Sequence, residues 1–130
     1  MAAFKRVLFI DDDVITISIN QRLMKLVNFA GEFISKKDGL EAIDYLTGDL
    51  TEMPDIIFVD LYMHAMDGWK FIEWFKKWSV DAGVNIPVYV LSSGLDTEFP
   101  AGDHSGVVNG YILKPVTAEN LNNISEDFPE

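Results

Sequence analysis

The stretch Val7-Leu8-Phe9-Ile10-Asp11-Asp12-Asp13 decides the fold class. A short continuous apolar run, closed by charge on both sides, suits a strand buried on both faces, as strands of a parallel sheet are. The same shape recurs along the chain. Ile56-Ile57-Phe58-Val59 ends in Asp60, Val88-Tyr89-Val90-Leu91 ends in Ser92-Ser93, and Tyr111-Ile112-Leu113 ends in Lys114-Pro115. Glu32-Phe33-Ile34-Ser35 is a weaker strand candidate, nearer an edge. Helical patterns lie between the runs. Ile15, Ile19, Leu23, Leu26 and Val27 mark one apolar face from about Val14 to Phe29. Asp38 is placed to cap a helix through Leu40, Ala42, Ile43 and Leu46. Phe71, Ile72, Phe75 and Trp78 mark a third helix from Gly68 to Trp78, and a short last one runs from Thr117 to Ser125. The segment between Ser93 and Gly110 holds Gly94, Pro100, Gly102 and Gly106, so it reads as loop with at most a turn or two of helix. Alternating strand and helix predict an α/β fold with a parallel sheet and right-handed crossovers.

Length and composition narrow the function. The chain has 130 residues, no internal repeat and no Pro/Gly linker, so a single domain over 1–130 with no effector domain is expected. It has no cysteine, which excludes a disulfide scaffold and a thiolate metal site and fits a reducing cytoplasm. The run Val7–Ile10 is too short for a signal sequence or a membrane span, so a cytoplasmic protein that does not engage membranes is expected. Ten basic residues stand against 21 acidic ones, a net charge of −11. That balance opposes direct binding of nucleic acid phosphates.

A parallel sheet puts the carboxyl ends of its strands on one rim, where ligands bind in such folds. Asp11, Asp12, Asp13, Asp60, Ser92, Ser93 and Lys114 all belong to that rim, and the pleat selects which point into the crevice. Several carboxylates at close quarters need a positive partner to stay ionised. Oxygen ligands without His or Cys favour magnesium. Carboxylate, magnesium, lysine and hydroxyl together suit phosphoryl transfer to an aspartate, where positioning and charge neutralisation carry the reaction. Asp13 directly precedes an amphipathic stretch and reads as its cap, and Asp67-Gly68 reads as a turn and helix start. His64 and His104 have no partners at metal-ligand spacing and read as surface residues. Trp69 and Trp74 lie off the third helix's stripe and are expected to pack partially against a neighbour.

The chain resembles the receiver domain of two-component response regulators. Four pieces carry the resemblance, in order and at matching spacing: Val7 through Asp13; Val59-Asp60-Leu61-Tyr62-Met63-His64-Ala65-Met66-Asp67-Gly68; Val90-Leu91-Ser92-Ser93; and Gly110-Tyr111-Ile112-Leu113-Lys114-Pro115. The resemblance implies a flavodoxin-like, doubly wound five-stranded parallel sheet in the order 2-1-3-4-5, a topology the general rule for doubly wound folds already assigns to a receiver-type protein. It implies five flanking helices, the fourth short or degenerate. By resemblance, Asp60 is the phosphoacceptor, and Asp11, Asp12, Asp60 and the backbone carbonyl of Tyr62 hold the magnesium. Lys114 contacts the acyl phosphate, Ser92 donates a hydrogen bond to the phosphoryl group, and Tyr111 is the aromatic that changes rotamer with Ser92. The Lys114–Pro115 bond is expected to be cis. The partners implied are a sensor histidine kinase or histidine phosphotransfer protein as donor and an unnamed downstream protein as target. The protein would be a signalling phosphoacceptor and not an enzyme with a turned-over substrate of its own. The chain departs from the family at Tyr62, where a small or polar residue is frequent, at His64, where proline is common, at Ser92, where threonine is frequent, and across Gly94 to Val108. Two rival readings are a magnesium-dependent phosphohydrolase with an aspartate nucleophile and a flavodoxin-like flavin carrier. The first wants a second acid two residues after Asp60, where Tyr62 stands; the second wants a glycine-rich phosphate loop where the three acids stand.

Overall fold

Each apolar run forms a strand, and all five strands pair in parallel. The computed structural model describes residues 2–48, 50–61, 63, 67–92 and 107–128. The strands are β1 (Phe4–Ile10), β2 (Ala30–Lys36), β3 (Ile56–Asp60), β4 (Val88–Ser92) and β5 (Val108–Leu113), and the sheet order is β2-β1-β3-β4-β5. Four helices are described: α1 (Val14–Leu26), α2 (Gly39–Leu46), α3 (Gly68–Ala82) and α4 (Ala118–Asp127), with a single 3-10 turn at Leu50–Glu52. The expected fourth of five helices falls between Ser93 and Gly110; 93–106 lie outside the described residues, and β5 already begins at Val108.

The continuous apolar strands are explained by their two covered faces. Leu8, Ile10, Ile57, Val59, Val88 and Val90 point to one side, where Ala42 and Leu46 of α2 and Phe71, Ile72 and Phe75 of α3 cover them. Val7, Phe9, Ile56, Phe58, Leu91 and Ile112 point to the other side, against Met24 of α1 and Leu121 and Ile124 of α4. Successive residues of a strand feed opposite layers, so no position in β3 is left for a polar side chain until the strand runs out at Asp60.

Short polar side chains begin the helices. Asp13, Asp38 and Asp67 each accept a hydrogen bond from a backbone N–H in the first turn of α1, α2 and α3, and Thr117 forms a reciprocal capping box with Asn120 at α4. Helix α3 runs past the expected Trp78 to Ala82 and stops at Gly83, whose left-handed φ of 69° glycine adopts without strain. Helix α1 stops at Leu26, short of the expected Phe29. Asn28 takes φ 55°, and Phe29 turns back into the core with its N–H on the Met24 carbonyl at 2.8 Å.

The expected core face of α1 holds at Leu23 and Val27 and fails at Ile15, Ile19 and Leu26. Ile15, Ile19 and Leu26 are 69%, 58% and 83% exposed, while Asn20 and Met24 are buried, with Ile17, Leu23 and Val27 beside them. The apolar residues spread over more than half of the helix circumference, and the sheet takes the part carrying Met24 and Ile17. Leu40 of α2 is likewise exposed. Trp69 and Trp74 are half-buried against the α2–α3 layer, as partial packing predicts.

Candidate functional site

The strand ends deliver their polar groups to one place. Asp11 follows β1 and is fully buried, and its backbone N–H donates to the Lys36 carbonyl at the end of β2, which fixes the turn. Asp60 closes β3 and is 7% exposed; Asp12 is half-buried. One carboxylate oxygen from each of Asp11, Asp12 and Asp60 lies within 4.8 Å of the others. Lys114, at the end of β5, reaches into the same space. Its Nζ lies 3.2 Å from Asp11 Oδ2 and 3.2 Å from Asp60 Oδ2. Asp11 Oδ1 accepts the Asp13 N–H at 2.9 Å, so both oxygens of this buried acid are held in fixed directions. Asp13 itself is turned away. It caps α1, accepting from Ile15 N at 3.0 Å and from the Thr16 hydroxyl at 2.8 Å.

The electrostatics follow from this crowding. Burial pulls the Lys114 ammonium toward deprotonation, but the charges of Asp60 and Asp11, with hydrogen bonds to both, outweigh it and hold its pKa above the ordinary lysine value. Lys114 is therefore a permanent cation at neutral pH. Three carboxylates against one ammonium leave the cluster two charges short of neutral. The donors are all oxygen, the set a hard divalent ion prefers, and the residues present fit magnesium.

Ser92 ends β4 beside this cluster, and its carbonyl accepts the Lys114 N–H at 2.8 Å, which ties the two strand ends together. The Lys114–Pro115 bond is cis. Tyr111 stands on β5, three residues before Lys114, with 51% of its surface exposed. Tyr62, expected to lend a carbonyl to the metal, lies outside the described residues, as do His64, Ser93 and His104. The structure brings Asp11, Asp12, Asp60 and Lys114 together, and Ser92 joins them through its backbone bond to Lys114.

One participant reads in the sequence as only a turn and helix start. A β-carbon on Gly68 would come within 2.4 Å of the Asp60 carbonyl oxygen and 2.8 Å of the Leu61 Cα. Only glycine lets α3 begin directly against the backbone of Asp60, and Gly68 N–H donates to the Leu61 carbonyl at 2.9 Å. The available signal was a glycine at the first helical position after a capping acid.

A parallel sheet in this order, with three acids and a lysine gathered at its carboxyl rim, defines the class of doubly wound α/β phosphoryl-handling domains. Residues 7–126 match the response regulator receiver domain, and the chain belongs to that family. It is 30% identical over 122 residues to the two-component response regulator ORR22 of Oryza sativa, an alignment covering 92% of this chain and 16% of that protein. The chain thus spans only a small part of that relative's length. Among solved structures it resembles a two-component response regulator from Cytophaga hutchinsonii at TM-score 0.80 and 29% identity, covering 96% of each chain. It shares its fold with the receiver domain of the sensor histidine kinase PA1611 from Pseudomonas aeruginosa at TM-score 0.76 and 15% identity, covering 95% and 96% of the two chains; that domain has magnesium coordinated in its active site cleft. The chain is a phosphoacceptor of two-component signalling, and the phosphohydrolase and flavin-carrier readings are not supported. Among the described residues no helix is long and apolar enough to cross a membrane.

Proposed function

We propose that Asp60 accepts a phosphoryl group from a phosphohistidine on a partner protein. The observation that carries this reading is the Lys114 ammonium, 3.2 Å from both Asp60 and Asp11, two members of a cluster of three carboxylates. In the transfer, a carboxylate oxygen of Asp60 forms a bond to phosphorus while the phosphorus–nitrogen bond of the donor breaks, and the imidazole keeps that electron pair. Such transfers depend on positioning and on neutralising charge. Lys114 stays beside Asp60 and offsets the charge of the acyl phosphate. The Ser92 hydroxyl donates to a phosphoryl oxygen, and Tyr111 answers by changing rotamer. Asp11, Asp12, Asp60 and the Tyr62 carbonyl would hold magnesium, which supplies further positive charge to the phosphoryl oxygens. The domain assists its own phosphorylation and dephosphorylation and turns over no other substrate.

The donor is a sensor histidine kinase or a histidine phosphotransfer protein, and it must cover the rim to reach Asp60. The apolar stripe of α1 borders that rim. Ile15, Ile19, Arg22 and Leu26 recur every three or four residues, the spacing of a helix-to-helix seam. A helical donor face with an acid opposite Arg22 fits it. Residues 1–130 act as one unit in the cytoplasm, and output passes to a downstream protein by contact.

The test is intact mass after incubation with acetyl phosphate and magnesium. The wild type gains one phosphoryl mass and Asp60→Asn gains none. A gain retained in Asp60→Asn places the acceptor elsewhere and ends this reading.

A further inference from the structure

We propose that the first turn of α3 forms a mechanical link between Asp60 and Tyr111, with Trp69 as the positioning residue that passes the state of one to the other. The proposal rests on Asp60 being the acceptor. Two adjacent residues make the link. Gly68 is seated on the backbone of Asp60 and Leu61 so closely that a β-carbon there would overlap backbone atoms, which cannot swing aside as a side chain can. The Gly68 N–H bond to the Leu61 carbonyl, at 2.9 Å, locks this seat. Asp67 caps the helix at Lys70 N, 2.9 Å away, so the turn moves as a unit. The next residue, Trp69, half-buried in the α2–α3 layer, meets Tyr111 with ring centroids 6.4 Å apart and planes tilted 53°.

Asp60 and Tyr111 sit two strands apart, on β3 and β5, about 10 Å at ordinary strand spacing. Helix α3 spans that gap in a single turn. A phosphoryl group on Asp60 adds bulk and charge beside a backbone that has no slack against Gly68. Any displacement of residues 60–61 therefore moves the α3 turn, and with it the indole on which Tyr111 rests. Coupling of this kind is reciprocal: whatever changes the Trp69–Tyr111 contact must change how tightly Asp60 holds its phosphoryl group or a mimic of it.

The experiment is a double-mutant cycle on the full chain. Calorimetric titration gives the affinity for beryllofluoride with magnesium, a mimic of the acyl phosphate, in the wild type, Trp69→Leu, Tyr111→Ala and the double variant. The expected result is non-additivity, with the double variant departing from the product of the singles by about five-fold or more. Trp69→Phe keeps a ring against Tyr111 and is expected to retain the coupling. If Trp69→Leu unfolds, Trp69→Met takes its place in the cycle. Additive effects of the two substitutions overturn the link. A wild type that takes up neither beryllofluoride nor a phosphoryl mass overturns the acceptor reading itself, a different failure from additivity in a protein that binds the mimic.

Discussion

Helices α1 and α3 have similar apolar patterns in the sequence and opposite fates in the fold. In α3 the stripe Phe71, Ile72 and Phe75 is wholly buried on the sheet. In α1 the stripe Ile15, Ile19 and Leu26 faces solvent, and the sheet side holds a polar residue, Asn20. Periodicity at 3.6 residues reveals that a helix has an apolar side; it does not say whether that side meets the sheet or a partner. The difference lies in what the other side offers. The far side of α3 carries Glu73, Lys76 and Lys77, which belong in water, whereas the apolar arc of α1 runs from Ile15 and Ile19 through Leu23 to Met24 and Ile17. A helix so broadly apolar has surface to spare, and in α1 the spare part borders the acidic rim.

The sharpest way to test the contrast is to truncate each stripe. Phe75→Ala in α3 removes a buried ring that stacks on Phe71 and touches Trp78, and it should cost about 3–5 kcal/mol. Urea unfolding measures it, and a loss below about 1 kcal/mol would mean that the α3 stripe is not core. The polar residue on the sheet side of α1 should answer with the opposite sign. Asn20 donates its Nδ2 to the Thr16 carbonyl at 2.8 Å, but its buried Oδ1 has no hydrogen-bond partner among the described residues. Asn20→Leu removes that unpaired acceptor, and the cavity of about 390 Å³ that it lines with Leu91 and Val116 gives the larger side chain room. A gain of about 1 kcal/mol in the same assay is expected; destabilisation would mean that Oδ1 has a partner in solution.

These two helices also mark how far the sequence could be read. The five strands and the convergence of Asp11, Asp12, Asp60 and Lys114 were legible because a parallel sheet forces every strand end to one side, and four separate runs each ended in a functional group; the strand order came from the family resemblance alone. The orientation of α1 was not legible, because Ile15 and Ile17 are chemically alike and point to opposite sides. The seat of Gly68 was hidden for another reason. It depends on how near α3 comes to the Asp60 carbonyl, a tertiary distance that no local pattern encodes. Likewise, Trp69 could be read as off the buried stripe, but not as the neighbour of Tyr111, 42 positions away in the chain.

The exposed stripe should separate stability from function. Ile15→Ser and Ile19→Ser remove apolar surface that is mostly exposed, so each should change stability by less than about 0.5 kcal/mol. Uptake of phosphoryl groups from acetyl phosphate should be unchanged, because a small donor needs no docking face. Transfer from a phosphorylated histidine protein should slow in both variants. Equal slowing with acetyl phosphate would move the effect from docking to the site itself.

The smallest effect concerns the cap that starts α1. Asp13 is exposed, yet its carboxyl is held below the ordinary aspartate range, first by the Thr16 hydroxyl and then by the Ile15 N–H. A carboxylate whose pKa is lower in the folded chain than in the unfolded one stabilises the fold above the unfolded value, 3.8, and that support fades as pH falls through the folded value. Asp13→Asn caps about as well but carries no charge to lose and none to favour the helix N-terminus. The wild type should therefore be slightly the more stable of the two at neutral pH, and the gap should close between about pH 5 and about pH 3. Urea midpoints of both proteins across that range measure it. A constant gap would mean that Asp13 works by shape alone, and that the start of α1 is set by the hydrogen bonds of its cap and not by the charge.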